Sequence, residues 1–358
     1  MILACRTGGV PSRQSRRDLG RLAGGPRVPL SPSHYHPCAG RRPRAGAAAA
    51  MPRAVCTEFR WTNGRGQDMH GAEFLPEGGA AAALLWHHGI CEHSGRYTPV
   101  LQLIAEQGVA VYTFDVHGHG RSHPQEPAER GMIHRFDDMV DDLYGFVAAV
   151  EQRRGTRLEP CVLGGQSMGG LVAAHAVLRH QERWAGLVLH SAAMGVVWTP
   201  VLRAQAAVGG LLAALLPYAQ LVPAVRPEDL HPDATVVEAF KSDPLIFHGS
   251  LRTRSANEVL KGMRALAPRV PEVGLPLYVV HGMRDATTSF DAVDDFVSRS
   301  GSAEKAFAKV EDGFHELLMG EERVANGRAI AEWCKARCGA AIAAKARKQD
   351  ERPASGKL

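Results

Sequence analysis

Residues Val162–Val177 read VLGGQSMGGLVAAHAV, an apolar run that gives way at one serine to a small-residue helical pattern. A chain that turns from strand to helix within a few residues strains the backbone at the apex. Its neighbours must then lack a Cβ so that the two chain directions can approach. Gly165 and Gly169 meet that need in Gly165-Gln166-Ser167-Met168-Gly169, a G-x-S-x-G match, and Gly170, Ala173 and Ala174 let the helix lie close on a sheet. The start of that helix also aims backbone N–H groups at the serine. Five-residue matches arise by chance, but this one follows an apolar strand and opens a helix. The turn presents a hydroxyl.

The surrounding pattern extends that reading. VCTEFRWTNGRGQDMHGAEFLP is two alternating runs about Asn63-Gly64, a hairpin signal. Buried strands are expected at AAALLWHHG, at 109–115, 161–165, 186–191 and 276–282, and a shorter one at 305–310. Helices are expected at Tyr97–Glu106, at Asp137–Gln152, after Ser167, and at Glu321–Cys338. Strands alternating with helices imply an α/β fold, a mostly parallel sheet covered on both faces. Residues 192–275 break the rhythm, with apolar helical pieces, several prolines and no clear strand. A structureless loop of that length is improbable, so the segment reads as an inserted helical cap or lid. The expected organisation is therefore a leader (1–50), a core in two parts (51–191 and 276–340), the cap between them, and a disordered basic tail (341–358).

Charge excludes one class of partner. The net charge of +5 is misleading, because residues 1–50 hold nine Arg and a single acid, Asp18. The body from Met51 onward is slightly acidic and does not read as a nucleic-acid binder. The leader has no helical or strand period and no apolar core of a secretory signal. Two readings stand: an organellar transit peptide, which would place the protein in chloroplast or mitochondrion, or a disordered extension with Met51 as the true start. The second leaves a cytoplasmic or membrane-peripheral protein; neither is secreted. The seven cysteines show no metal spacing and read as reduced thiols. No apolar run reaches the length of a membrane span.

A serine hydroxyl is a weak nucleophile and needs a base, itself oriented by an acid. At a turn of this kind the partners follow in chain order serine, acid, histidine. Asp285 lies in the loop after strand 276–282, with Asp291 as its rival in the next helix-like stretch. His315 lies in a Gly-flanked loop after strand 305–310, whereas His281 ends its strand as a packed histidine would. An oxyanion hole needs two backbone N–H donors, for which Met168 and Ile90 are the candidates. The acids of FDDMVDD (136–142) open a helix and suit its dipole without any metal. The two histidines of DVHGHGRS (115–122) suit a loop shaping the floor of the site better than zinc ligands.

The motifs HHGICEHSGRY (87–97), FDVHGHGRS (114–122), GGQSMGG (164–170), HGMRDATTS (281–289) and DGFHELL (312–318) together resemble the monoacylglycerol lipase-type α/β-hydrolases. That group includes plant lysophospholipase-like and caffeoylshikimate-esterase-like enzymes and carries the serine aminopeptidase S33-type domain. The resemblance implies the α/β-hydrolase fold, a triad of Ser167, Asp285 and His315, oxyanion donors Ile90 and Met168, and no cofactor or metal. It also implies hydrolysis of a lipid-like acyl ester, first of all a monoacylglycerol. The alternatives are a lysophospholipase, a small- or phenolic-ester esterase, a peptidase, or a silent binding module. Two departures stand out: Cys91 where the family usually has glycine, and neutral Gln166 before the serine where His or Glu is common. The uncharged run Ala206–Leu216 reads either as a core helix of the cap or as a lid edge that touches a lipid surface.

Overall fold

The computed structural model describes residues 53–223 and 225–350. Residues 1–50 and 351–358, and with them the two readings of the leader, lie outside the described residues. Among the described residues, β1 (Ala54–Thr62) and β2 (Asp68–Pro76) form the expected hairpin. Its loop is longer than the two-residue turn that Asn63-Gly64 suggests, because the Asn63 side chain accepts from the backbone N–H groups of both Arg65 and Gln67. The main strands follow as β3 (Ala82–His87), β4 (Val109–Phe114), β5 (Cys161–Gln166) and β6 (Trp184–His190). Two short cap strands, β7 (Gln220–Val222) and β8 (Leu251–Arg252), precede β9 (Leu277–Gly282) and β10 (Lys305–Val310).

Eight of these strands build one sheet in the order β1-β2-β4-β3-β5-β6-β9-β10, parallel from β4 to β10. The parallel strands send alternate residues to opposite faces. Leu85, Tyr112 and Leu163 join one core cluster, and Leu84, Val111 and Val162 the other. The first face is covered by α2 (Phe136–Arg154), α3 (Met168–Arg179), α6 (Thr253–Leu266) and α7 (Phe290–Arg299). The second is covered by α1 (Thr98–Glu106) and α8 (Arg323–Asp350).

Two expectations change. The tail was expected to be disordered from residue 341, yet α8 continues to Asp350. Its sequence there, AAIAAKARKQD, is almost all strong helix formers, which prolong a helix without needing packing. The cap also ends earlier than residue 275. In α6, Met263 and Leu266 enter the core, and a Cβ at Gly262 would lie 2.5 Å from the Phe136 ring. The part that stands over the sheet is therefore α4 (Pro200–Leu215), the β7–β8 pair and α5 (Ala234–Ser242). The strand pair is itself unforeseen in a segment read as purely helical; a pairing of three residues with two is too short to show a period.

Glycine spacing permits the central turn. A Cβ on Gly165 would lie 2.4 Å from the backbone carbon of Gly169, and one on Gly169 would lie 2.1 Å from the carbonyl oxygen of His87. Backbone atoms on both sides leave no flexible group to give way. Gly165→Ala should therefore cost ~3 kcal/mol or more, seen as a large drop in melting temperature or loss of soluble protein. Gly210 in α4 has open space around its missing Cβ. Gly210→Ala should raise stability by roughly 0.5–1 kcal/mol, measured in the same melts.

Candidate active site

The loops after β3, β5, β9 and β10 all leave the carboxyl ends of parallel strands, so they meet on one edge of the sheet. Ser167 stands between β5 and α3 with φ 53° and ψ −123°, an angle pair that L-residues rarely adopt. Its N–H donates to His190 at 3.1 Å, and its carbonyl accepts from Ala193 at 2.9 Å and Gly170 at 3.0 Å. These bonds over-determine the strained conformation. The residue is 7% exposed, so its hydroxyl opens only into the interior of a cleft.

Asp285 and His315 meet directly. The imidazole Nδ1 lies 2.7 Å from Asp285 Oδ2, and both residues are buried. Four further donors surround the carboxylate: the N–H groups of Thr287 (2.8 Å) and Thr288 (2.9 Å), the Thr288 hydroxyl (2.6 Å), and His281 Nε2 at 3.4 Å. Burial alone would raise the Asp285 pKa, but the His315 imidazole and these bonds hold it down at about 2. For His315, burial works to lower the pKa, and the Asp285 charge outweighs it to leave the value raised. Asp291 lies in the first turn of α7, apart from this pair.

The β3 loop comes against the serine from the other side. A Cβ on Gly89 would lie 3.2 Å from Ser167 Cβ. The Gly89 N–H donates to Glu92 Oε1 at 2.6 Å, and its carbonyl lies 2.7 Å from His88 Nδ1. His88 Nε2 accepts from the Val116 N–H at 2.9 Å, so the proton sits on Nδ1 and donates to the Gly89 carbonyl. Burial lowers the His88 pKa and keeps this neutral form. The Ile90 N–H shares the Gly89–Ile90 peptide plane and points opposite to that carbonyl. Holding the carbonyl therefore fixes the direction of the Ile90 donor. Cys91 follows at φ 64°, the left-handed region that glycine adopts without strain, so the departure from glycine keeps the shape of the loop at a conformational cost.

A buried charge cluster ties this loop to the histidine loop. Arg96 donates to Glu316 Oε1 at 2.7 Å and Oε2 at 2.9 Å, and also to Glu92. Tyr97 donates to Glu92 Oε1 at 2.5 Å. Glu316 follows His315 directly, so one guanidinium holds both loops. Sequence reasoning gave these residues no role, although all four lie within the quoted motifs. The signal was two acids and an arginine in segments otherwise bound for the core. The loop 115–122 also supports the site, through Val116 and through Asp115, which accepts from the N–H and hydroxyl of Ser94 at 2.8 and 2.6 Å. In FDDMVDD, Asp142 pairs with Arg65 at 2.5 Å and Asp141 with Arg179 at 2.5 Å.

Two cavities open at Ser167. One, of about 340 Å³, is apolar and is lined by Ile90, Met168, Leu202, Leu212, Leu260 and Met263. The other, of about 360 Å³, has Ser167, His315, Gln166 and Ile90 in its wall. The strained serine thus lies in the wall of both cavities, and the Asp285-paired His315 lies in the wall of the second. Such a set can generate a nucleophile and stabilise an oxyanion.

The chain is similar to known proteins. A family model described as serine aminopeptidase, S33, matches residues 78–323. This chain belongs to that family. It is a serine hydrolase of the α/β-hydrolase fold. The monoacylglycerol lipase of Mycolicibacterium smegmatis is 31% identical over 255 residues, covering 70% of this chain and 86% of that one. The monoglyceride lipase of Rattus norvegicus is 25% identical, covering 71% of this chain and 82% of the relative. The crystal structure of the Paleococcus ferrophilus monoacylglycerol lipase superposes with a TM-score of 0.63 at 22% identity, covering 79% of this chain and 99% of the other.

For this S33 hydrolase the charge cluster gives a stability test. Arg96→Leu leaves Glu92 and Glu316 buried without their cation, which should cost roughly 3–5 kcal/mol. Burial pushes the Glu92 carboxyl up and the Arg96 charge holds it down, so without Arg96 it favours protonation in the folded state and the loss should shrink as pH falls from 7.5 toward 5. Denaturant melts at the two pH values check both the size and the sign.

Proposed function

We propose that this enzyme hydrolyses long-chain monoacylglycerols, releasing a fatty acid and glycerol. Ser167 attacks the acyl carbonyl while His315 takes its proton. Asp285 holds the imidazole and stabilises its charged form, and the Ile90 and Met168 N–H groups receive the developing oxyanion. His315 then protonates the leaving alcohol, and water releases the acyl group from the serine. The cavity that begins at Ser167 carries this reading, because its predominantly apolar walls, with Leu202, Leu212, Leu260 and Met263 among them, suit an acyl chain.

The peptidase reading has less support. A free α-amine needs an acidic partner, and the two carboxylates beside the His315 cavity, Glu92 and Glu316, are both engaged by Arg96. Water-soluble esters remain substrates for the same machinery.

Helix α4 supports a lipid surface as partner. Leu202, Ala206, Gly209 and Leu212 face the acyl cavity, while Val201, Val208, Leu211 and Leu215 face solvent, with Leu211 62% and Leu215 70% exposed. A helix apolar on both sides forms the wall of the cavity and offers a greasy outer face to a membrane or micelle. No helix of the described residues is long and apolar enough to cross a membrane, so contact would be peripheral.

Ser167→Ala should lower hydrolysis of a monoacylglycerol by at least ~10³-fold in a protein of unchanged melting temperature; near-normal turnover would overturn the assignment. Asp285→Asn should lower kcat by about 10⁴-fold. The wild-type kcat/KM falls on its acidic side as His315 protonates, with a midpoint above the usual histidine value near 6.5. Removing the Asp285 charge moves that midpoint down in the Asn variant, whereas Asp291→Asn keeps the wild-type profile. Leu211→Asp with Leu215→Asp should weaken vesicle binding and slow long-chain hydrolysis. A short soluble ester should be turned over as before; equal losses on both would place these leucines in the core.

A further inference from the structure

The second cavity is larger than glycerol needs, and its wall sets two phenyl rings among polar groups such as Gln166, Arg226 and His248. His315 and Ser167 both line it, so on the reading of these two residues given above the leaving alcohol lies there, within reach of the group that protonates it. Its volume is about 360 Å³. Glycerol, with six non-hydrogen atoms, leaves much of that space unfilled.

Two phenyl rings, Phe240 and Phe247, stand in the wall, and both are held from behind by arginines. The Arg96 guanidinium lies 4.9 Å from the Phe240 ring, and that of Arg252 lies 5.2 Å from the Phe247 ring. The Phe247 N–H donates to the Cys91 carbonyl at 2.8 Å, which fixes this part of the cap to the loop bearing the Ile90 donor. The aromatic walls are thus arranged in advance of any ligand. Glu92 and Glu316 border the same cavity, but their oxygens are already engaged. Gln166 is different. It is 1% exposed, it lines the cavity beside the nucleophile, and among the described residues its side-chain amide has no hydrogen-bond partner, with Oε1 buried. A buried amide without a partner favours a ligand that brings one.

We propose that the alcohol side of the site selects esters of a hydroxylated aromatic alcohol, with the ring between Phe240 and Phe247 and its hydroxyl paired to Gln166. Glycerol esters are then accepted but fill the cavity poorly. The departure from His or Glu at position 166 replaces an ionisable group by an uncharged one that can both donate to and accept from a neutral hydroxyl.

The test keeps the acyl chain and the leaving-group reactivity constant. Decanoate esters of ethanol, glycerol, 2-phenylethanol and 2-(4-hydroxyphenyl)ethanol are compared by kcat/KM with the full chain. The hydroxyphenylethyl ester should exceed the glyceryl ester by about tenfold, and the phenylethyl ester should fall between them. Gln166→Leu should collapse the ratio of hydroxyphenylethyl to phenylethyl rates toward one. Phe247→Leu, which keeps an apolar side chain against Gly131, should lower the ratio of both aryl esters to the ethyl ester. A glyceryl ester turned over as fast as the hydroxyphenylethyl ester, or a Gln166→Leu variant with unchanged ratios, overturns the aromatic alcohol while leaving the acyl-ester function standing. Failure to hydrolyse any of the four esters overturns the proposed function itself, and this inference with it.

Discussion

Between the carbonyl oxygens of His87 and His88 and the first turn of α3 there is no room for a methyl group. A Cβ on Gly169 would lie 2.1 Å from one oxygen and 2.5 Å from the other. That contact of backbone against backbone brings the end of β3 beside the start of α3. Gly89 therefore packs against Ser167, with Ile90 the next residue of the same loop. The strain at Ser167 is held by the same arrangement, through bonds to His190 and Ala193 at the end of β6 and just beyond it. Any side chain at Gly165 or Gly169 would part these strands and dissolve the site before it touched any reacting group.

Polar interactions then set the angles that packing leaves free. His88 and Glu92 grip the two ends of Gly89, and Arg96 joins Glu92 to the residue after His315. Such a buried cluster contributes little net stability compared with an apolar core of the same shape. What it supplies is position: one guanidinium ties the loop of Gly89 and Ile90 to the loop of His315. The apolar cavity is built differently, between the exposed helix α4 and the core-facing helix α6.

Much of the architecture was legible in the sequence, because buried parallel strands and the glycine-flanked serine each leave a local signature. The strands 109–115 and 276–282 were readable from apolar runs alone, and the loop bearing Asp285 follows from where the second run stops. Local patterns carry no such message for Arg96 and Glu316, which are 220 residues apart and meet only through the fold. The role of α6 was missed for a similar reason. Its core contacts depend on Gly262 admitting Phe136 from another helix. Helix α4 was ambiguous because apolar residues all around it fit both a buried helix and a lid. Its exposed leucines appear only when its neighbours are in place.

The central claim is that the strained serine at the β5–α3 turn is the reacting group. Treatment of the folded full chain with a fluorophosphonate, followed by intact mass and peptide mapping, tests it most directly. The account predicts one adduct per chain, on Ser167, formed more slowly as pH falls below the His315 midpoint. An adduct on another residue, or a folded protein that takes none at neutral pH, would contradict it.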